Sequence, residues 1–220
     1  MNGAIDGRQP SALSTERWKT VPWRFFAKDS LQCLFDIGFN IAALLERLDA
    51  CDSPQAPETS VSQRARLSLS CGAVQQSLEE WHSAHWGHRN SLSPSSMHSC
   101  DELDSPSSAS AAHFGFKSLW EATNIAYFWL FKMILNDILA ATASQEEQQD
   151  LVFSSLELAV NIVSVSSYFL AEATGWLGPQ RLFFPLKRAM ALLMSKQSPF
   201  AEDAQKAFGQ LIRKLRPNSD

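Results

Sequence analysis

Leu31, Leu34, Phe35, Ile41, Leu44, Leu45 and Leu48 recur at steps that gather them on one face of an α-helix. Asp29 or Ser30 stands where an N-cap belongs, so a helix is expected from there to about Ala50. Asp52 to Ser60 carries two prolines and no large apolar group and reads as a connector. Beyond it Leu67, Cys71, Val74, Leu78, Trp81 and His85 make a second helical stripe, weakened slightly by Gly72. Between Gly87 and Ser110 nine serines and two prolines leave almost nothing to bury, which predicts a flexible loop over 87–112.

The most apolar stretch follows. Over residues 117–141 large apolar groups from Leu119 to Leu139 cover most of a helix circumference, so this helix should be central. Ser144 and Glu147 have capping-box spacing and open a helix expected to reach Thr174, with Leu151, Leu158, Ile162, Val165, Phe169 and Leu170 inward. Gly175 is placed for an αL C-cap, and Gly178 with Pro179 should prevent continuation. Pro185 suits the first turn of a helix over 186–194, and a last helix should cover 202–215, stopped by Pro217. Near the start, residues 1–20 are polar and expected to be flexible, while Val21, Trp23, Phe25 and Phe26 form an apolar cluster expected to lie against the core. No period-two pattern is present, so the class is all-α: an irregular multi-helix bundle over 21–216, interrupted by the serine-rich loop.

Composition narrows the function classes. A chain of 220 residues with 45% apolar and 19% charged residues can bury a real core. Its formal charge of −4 gives no general attraction to nucleic acid or to a membrane surface, and no membrane contact is expected. Residues 1–10 lack the apolar stretch of a secretory signal, and Cys33, Cys51, Cys71 and Cys100 form no CxxC pair, which together predict a reducing, intracellular setting. Charge is uneven: 181–216 holds eight basic residues against Glu202 and Asp203. A solvated helix face explains that excess better than a nucleic-acid contact, because no aromatic platform interleaves it.

Constellations that carry chemistry are missing one by one. His82, His85 and His88 make an HxxHxxH run, but His85 lies on the apolar stripe and no carboxylate or thiol is spaced to complete a metal set. Asn136, Asp137 and Ile138 begin like the second metal motif of class I terpene synthases, yet Ala140 and Ser144 replace the hydroxyl and acid that should follow. Asp101, Glu102 and Asp104 lie in the serine-rich loop, where no helix aligns them. Cys33 and Cys71 fall on buried faces, and GxSxG, GxGxxG and GxxxxGK[ST] are absent. No catalytic residue, cofactor or metal is therefore expected.

Ser167, Tyr168, Phe169 and Leu170, then Gly175, Trp176, Leu177 and Gly178, then Phe184, Pro185, Leu186 and Ala189 resemble a signature in the regulatory region of fungal-specific transcription factors. Upstream segments agree in order: a helix ending Leu44, Leu45, Glu46; a helix carrying Leu78 and Trp81; a variable loop; and an aromatic helix from Ala126 to Asn136. The likeness spans roughly 20–215. Members of that family usually begin with a six-cysteine zinc cluster that binds DNA, and the four cysteines here cannot supply one. The resemblance therefore implies the regulatory half alone: a nuclear protein acting by contact with other transcription-related proteins, without direct sequence-specific DNA binding, in control of a secondary-metabolite gene cluster. A shortened regulator, a subunit acting through a DNA-bound partner, or a piece of a longer chain would each look like this. The alternative expectation is a cytoplasmic accessory protein of such a cluster that binds an apolar small molecule among the aromatics around Trp129 and Phe131.

Overall fold

The computed structural model describes residues 2–9, 14–51, 60–86 and 115–216, leaving out the side chains of 60 and 61. The expected loop over 87–112, His88, Cys100, the acids at 101–104 and all of the expected connector over 52–60 except Ser60, which opens a helix, lie outside those residues. Among the described residues the chain is all-α, with no strand. Its helices are α1 (Asn2–Asp6), α2 (Glu16–Thr20), α3 (Ser30–Cys51), α4 (Ser60–Trp86), α5 (Leu119–Ala140), α6 (Gln145–Ser164), α7 (Ser166–Leu170), α8 (Leu177–Ser195) and α9 (Ala201–Leu215). Two 3-10 turns, Val21–Trp23 and Glu172–Thr174, join α2 to α3 and α7 to α8.

Helix α5 is the axis of the bundle because no side of it can face water. Fifteen of its residues are buried, from Ala122 to Ile138, and α3 and α4 pack on it as well as α6 and α8. Ser118 caps it by accepting from the Glu121 N–H at 3.2 Å. Its only interior cation, Lys132, pairs with Glu79 of α4 at 2.7 Å. Helix α3 starts on a reciprocal cap between Asp29 and Gln32, at 2.8 and 2.9 Å, and buries Leu31, Leu34, Ile41, Leu44, Leu45 and Leu48 as the periodicity predicts. Helix α9 lies outermost, on α8, and reaches α7.

Helices α4 and α6 need two adjustments. On α4 the buried stripe ends at Trp86 rather than His85, which is exposed; Trp86 carries far more apolar surface, and its ring meets Phe116 edge-on at 6.5 Å. The helix expected to run from Ser144 to Thr174 is broken at Val165, after which α7 and a 3-10 turn complete the segment. Its start is as expected: the Ser144 N–H and hydroxyl both donate to Glu147 Oε2, at 3.0 and 2.8 Å. Gln145–Leu170 is the one described stretch long and apolar enough to cross a membrane. Within the fold it is divided into α6 and α7, and α6 buries Ser155, Ala159 and Ile162.

The prolines behave differently from expectation. Gly178 and Pro179 open α8 instead of blocking a helix, because Pro179 sits in the first turn, where its missing N–H has no intrahelical partner to lose. Pro185 is then well inside α8 and buried, tolerated at the loss of one backbone bond. Gly175 has the positive φ foreseen for it, 56°, but its ψ of −144° is a region essentially reserved for glycine rather than αL.

The N-terminal segment departs most. Ile5 of α1 is buried against α3, Asn2 donates to the Tyr127 hydroxyl at 3.4 Å, and Asp6 pairs with Lys187 at 2.9 Å, so part of the polar leader is docked. Conversely, the cluster expected to lie on the core stands away from it: Phe25 and Phe26 are exposed, as is Val21, and Trp23 is half-buried. The inward face of α3 is filled by its own residues, from Leu31 to Leu48, and by contacts with α1, α4 and α5, without these rings.

Candidate functional site

No group of three His, Cys, Asp or Glu side chains among the described residues could hold a metal. Helix α4 pulls the histidine run apart. His82 faces inward and stacks on Phe128 at 4.6 Å, its imidazole held below its ordinary pKa mainly by desolvation, while His85 points outward beside Trp81 at 5.2 Å. Asn136 is buried and donates to Ser154 Oγ at 3.3 Å. Asp137 reaches the surface at the end of α5, where crowding still raises its carboxyl pKa against the opposing charges of Arg188 and Lys196. These are local solutions to packing, and they do not converge on one point.

The described cysteines are free thiols. Burial raises Cys71 to about 11, and it raises Cys33 despite the nearby Lys28 ammonium. Both are therefore protonated at neutral pH and unsuited to nucleophilic attack.

Much of the basic excess over 181–216 is engaged within the fold. The Arg181 guanidinium lies 4.7 Å from the Trp120 ring, Lys187 pairs with Asp6, and Lys206 pairs with Asp203 at 3.6 Å. Lys214 donates to the Leu170 carbonyl, placing a cation at the C-terminal end of α7, where the helix dipole favours it. The contacts of Arg181, Lys187 and Lys214 tie α8 and α9 to other elements, while the Lys206–Asp203 pair lies within α9.

The residues that carry the regulatory-region resemblance divide between core and surface. Phe169, Gly178, Phe184, Pro185, Leu186 and Ala189 are buried. The Thr174 hydroxyl lies within donating distance of the Phe169 and Ala171 carbonyls, at 2.8 and 2.7 Å, satisfying the end of α7. Trp176 is 64% exposed, with Leu177 beside it.

A shallow surface recess lies on α6 beside the end of α8. It has a volume of about 430 Å³ and is lined by Gln145, Gln148, Gln149, Val152, Phe153 and Leu156 of α6 and by Lys196, the residue that closes α8. Phe153 is 65% exposed, and Met194 and Phe200 are exposed within four residues of Lys196 along the chain. This end of the bundle thus presents exposed apolar groups rimmed by glutamines and a lysine. The sequence hid it because Phe153 lies on a helix whose opposite face supplies core residues. The aromatics proposed above for a small molecule are occupied by packing: Phe131 is fully buried, with Tyr127 edge-on at 5.9 Å.

No family model, curated protein or solved structure matches the chain.

Proposed function

We propose that this chain is a non-catalytic helical contact protein of the transcription-regulator kind, which lacks its own DNA-binding cluster and docks a partner protein at the α6–α8 end of the bundle. The observation that carries the reading is Phe153, standing 65% exposed in a recess edged by amide side chains. A partner helix laid across that recess would cover Phe153, Val152 and Leu156 together, with the glutamines and Lys196 supplying a polar rim. The resemblance of the stretch from Ser167 to Ala189 to the regulatory region of fungal transcription factors supplies the biological setting: a nuclear protein, with transcription-related partners and a secondary-metabolite gene cluster as its target.

Gene deletion followed by transcript profiling tests this. Deletion should change the transcripts of a coherent gene set; the wild-type chain should restore them, and a folded Phe153→Asp variant should not. Unchanged transcripts together with an accumulated biosynthetic intermediate would overturn the reading in favour of an accessory biosynthetic protein.

A further inference from the structure

Five large apolar residues, Trp18, Val21, Trp23, Phe25 and Phe26, fall within nine positions of the N-terminal segment, and none is buried. Phe25 and Phe26 are 88% and 74% exposed and Trp18 is 54% exposed. Scattered exposed apolar groups need no explanation, but a contiguous set does. Phenyl rings this exposed stand clear of the protein surface instead of lining a cleft, so their occupant must close around them.

The same stretch, Arg17 to Lys28, contains four basic and no acidic residues in a chain whose net charge is −4. Two of the four act as tethers to α3: Lys28 pairs with Asp36, and Lys19 donates to Asn40 Oδ1 at 3.1 Å. Since Asn40 is neutral, the Lys19 charge is not cancelled there. Arg17 and Arg24 are exposed on the segment itself, bounded by Glu16 before it and by Asp29, which is engaged as the α3 cap. Polar contacts thus hold the segment in place while its rings face out, with cations set between them. Tryptophan and phenylalanine interleaved with lysine and arginine is the composition that lies in a membrane interface, and the sign of the charge selects an anionic headgroup layer.

We infer that Arg17–Lys28 is a peripheral membrane anchor, inserting Trp18, Phe25 and Phe26 into the interface of an anionic phospholipid bilayer while Arg17, Lys19 and Arg24 meet the headgroups. The whole-chain charge, which argues against a membrane, averages this local cluster away.

Co-sedimentation of the full chain with phosphatidylcholine vesicles, with and without phosphatidylserine, tests the anchor. The chain should sediment only with the phosphatidylserine vesicles, and salt should weaken binding. Arg17→Gln and Arg24→Gln should each weaken it about fivefold, and the Phe25→Ser/Phe26→Ser double variant should abolish it, all with unchanged melting. Phe153→Asp should bind as the wild type does, which separates this site from the contact surface proposed above. Failure to bind phosphatidylserine vesicles overturns the inference, as does equal binding to phosphatidylcholine alone. So does a concentration-dependent dimer that the double variant abolishes, because a second copy would then be the occupant. A lowered melting temperature in the double variant also overturns it, since the rings would then belong to the fold.

Discussion

Gly38 shows how closely two helices can approach when one of them lacks a side chain. A Cβ there would lie 2.4 Å from Cζ of Phe131, whose ring is fully buried on α5 and has nowhere to retreat. Alanine normally improves a helix interior relative to glycine, but Gly38→Ala should destabilise this protein by about 1–3 kcal/mol through overpacking. Urea unfolding measures this, and Phe131→Leu in the same chain should recover part of the loss. His82 offers a second check at the same scale. Desolvation lowers its pKa in the folded state, with Lys132 adding to the effect and Glu79 opposing it. As pH falls through about 6.5 the unfolded chain takes up a proton first, so this site loses stability below that pH and contributes no slope above it. His82→Gln should flatten that part of the stability–pH curve. Glu147 works lower on the scale: its carboxylate, bonded to the Ser144 hydroxyl and N–H, has a depressed pKa, so its contribution is present above the ordinary carboxylate range and fades as the pH falls through it. Glu147→Gln should therefore show a smaller acid-induced fall in melting temperature than the wild type.

At the scale of elements, α1 makes the clearest prediction. Ile5 is its single buried residue, supported by the exposed Asp6–Lys187 pair, which adds little by itself. Ile5→Ala should cost about 2 kcal/mol, the low end for such a truncation, because α1 can detach instead of leaving a cavity. Limited proteolysis near residue 10 should quicken in that variant. The same element marks where the sequence stops being legible. Periodicity located α3, α4 and α5 and most of their buried residues, because each has a stripe long enough for the helical repeat to be unambiguous. In α1 one isoleucine in a polar decapeptide carries no periodicity, and its burial depends on a surface that α3 builds. Val21, Trp23, Phe25 and Phe26 fail in the opposite direction: composition marks them as core, while the structure leaves Val21, Phe25 and Phe26 exposed and Trp23 half-buried. Pro179 was legible as helix punctuation but not in sign, since a proline that stops one helix equally well starts the next, and Pro185, read as a helix start, lies inside the helix that Pro179 opens. The recess around Phe153 was not legible at all, since an exposed aromatic on an amphipathic helix looks like any other inward residue until the partner faces are known.

For the whole molecule, the placement of α5 between α3 and α4 on one hand and α6 and α8 on the other makes stability unequal across the chain. Backbone amides of α5 lie beneath other helices all round, so they should exchange with solvent only when the entire domain opens. Helix α9 packs mainly on α8, burying Leu211, Ala204 and Ala207, and contacts α7 through Lys214, so it should open while the rest stays folded. Two core truncations of similar chemistry should therefore differ in reach. Leu211→Ala should lower protection in α9 and in α5 alike, since Leu211 is unpacked in the local and in the global opening, whereas Ile134→Ala, in the middle of α5, should lower protection of α5 by about 2–5 kcal/mol and leave that of α9 unchanged, since Ile134 stays packed while α9 opens. Hydrogen exchange read by mass spectrometry distinguishes the two patterns. Equal loss across all helices in both variants would mean that α9 is bound as tightly as the axis. The bundle would then open as one unit, and α9 would gain no independent freedom to rearrange when a partner settles at the α6–α8 end.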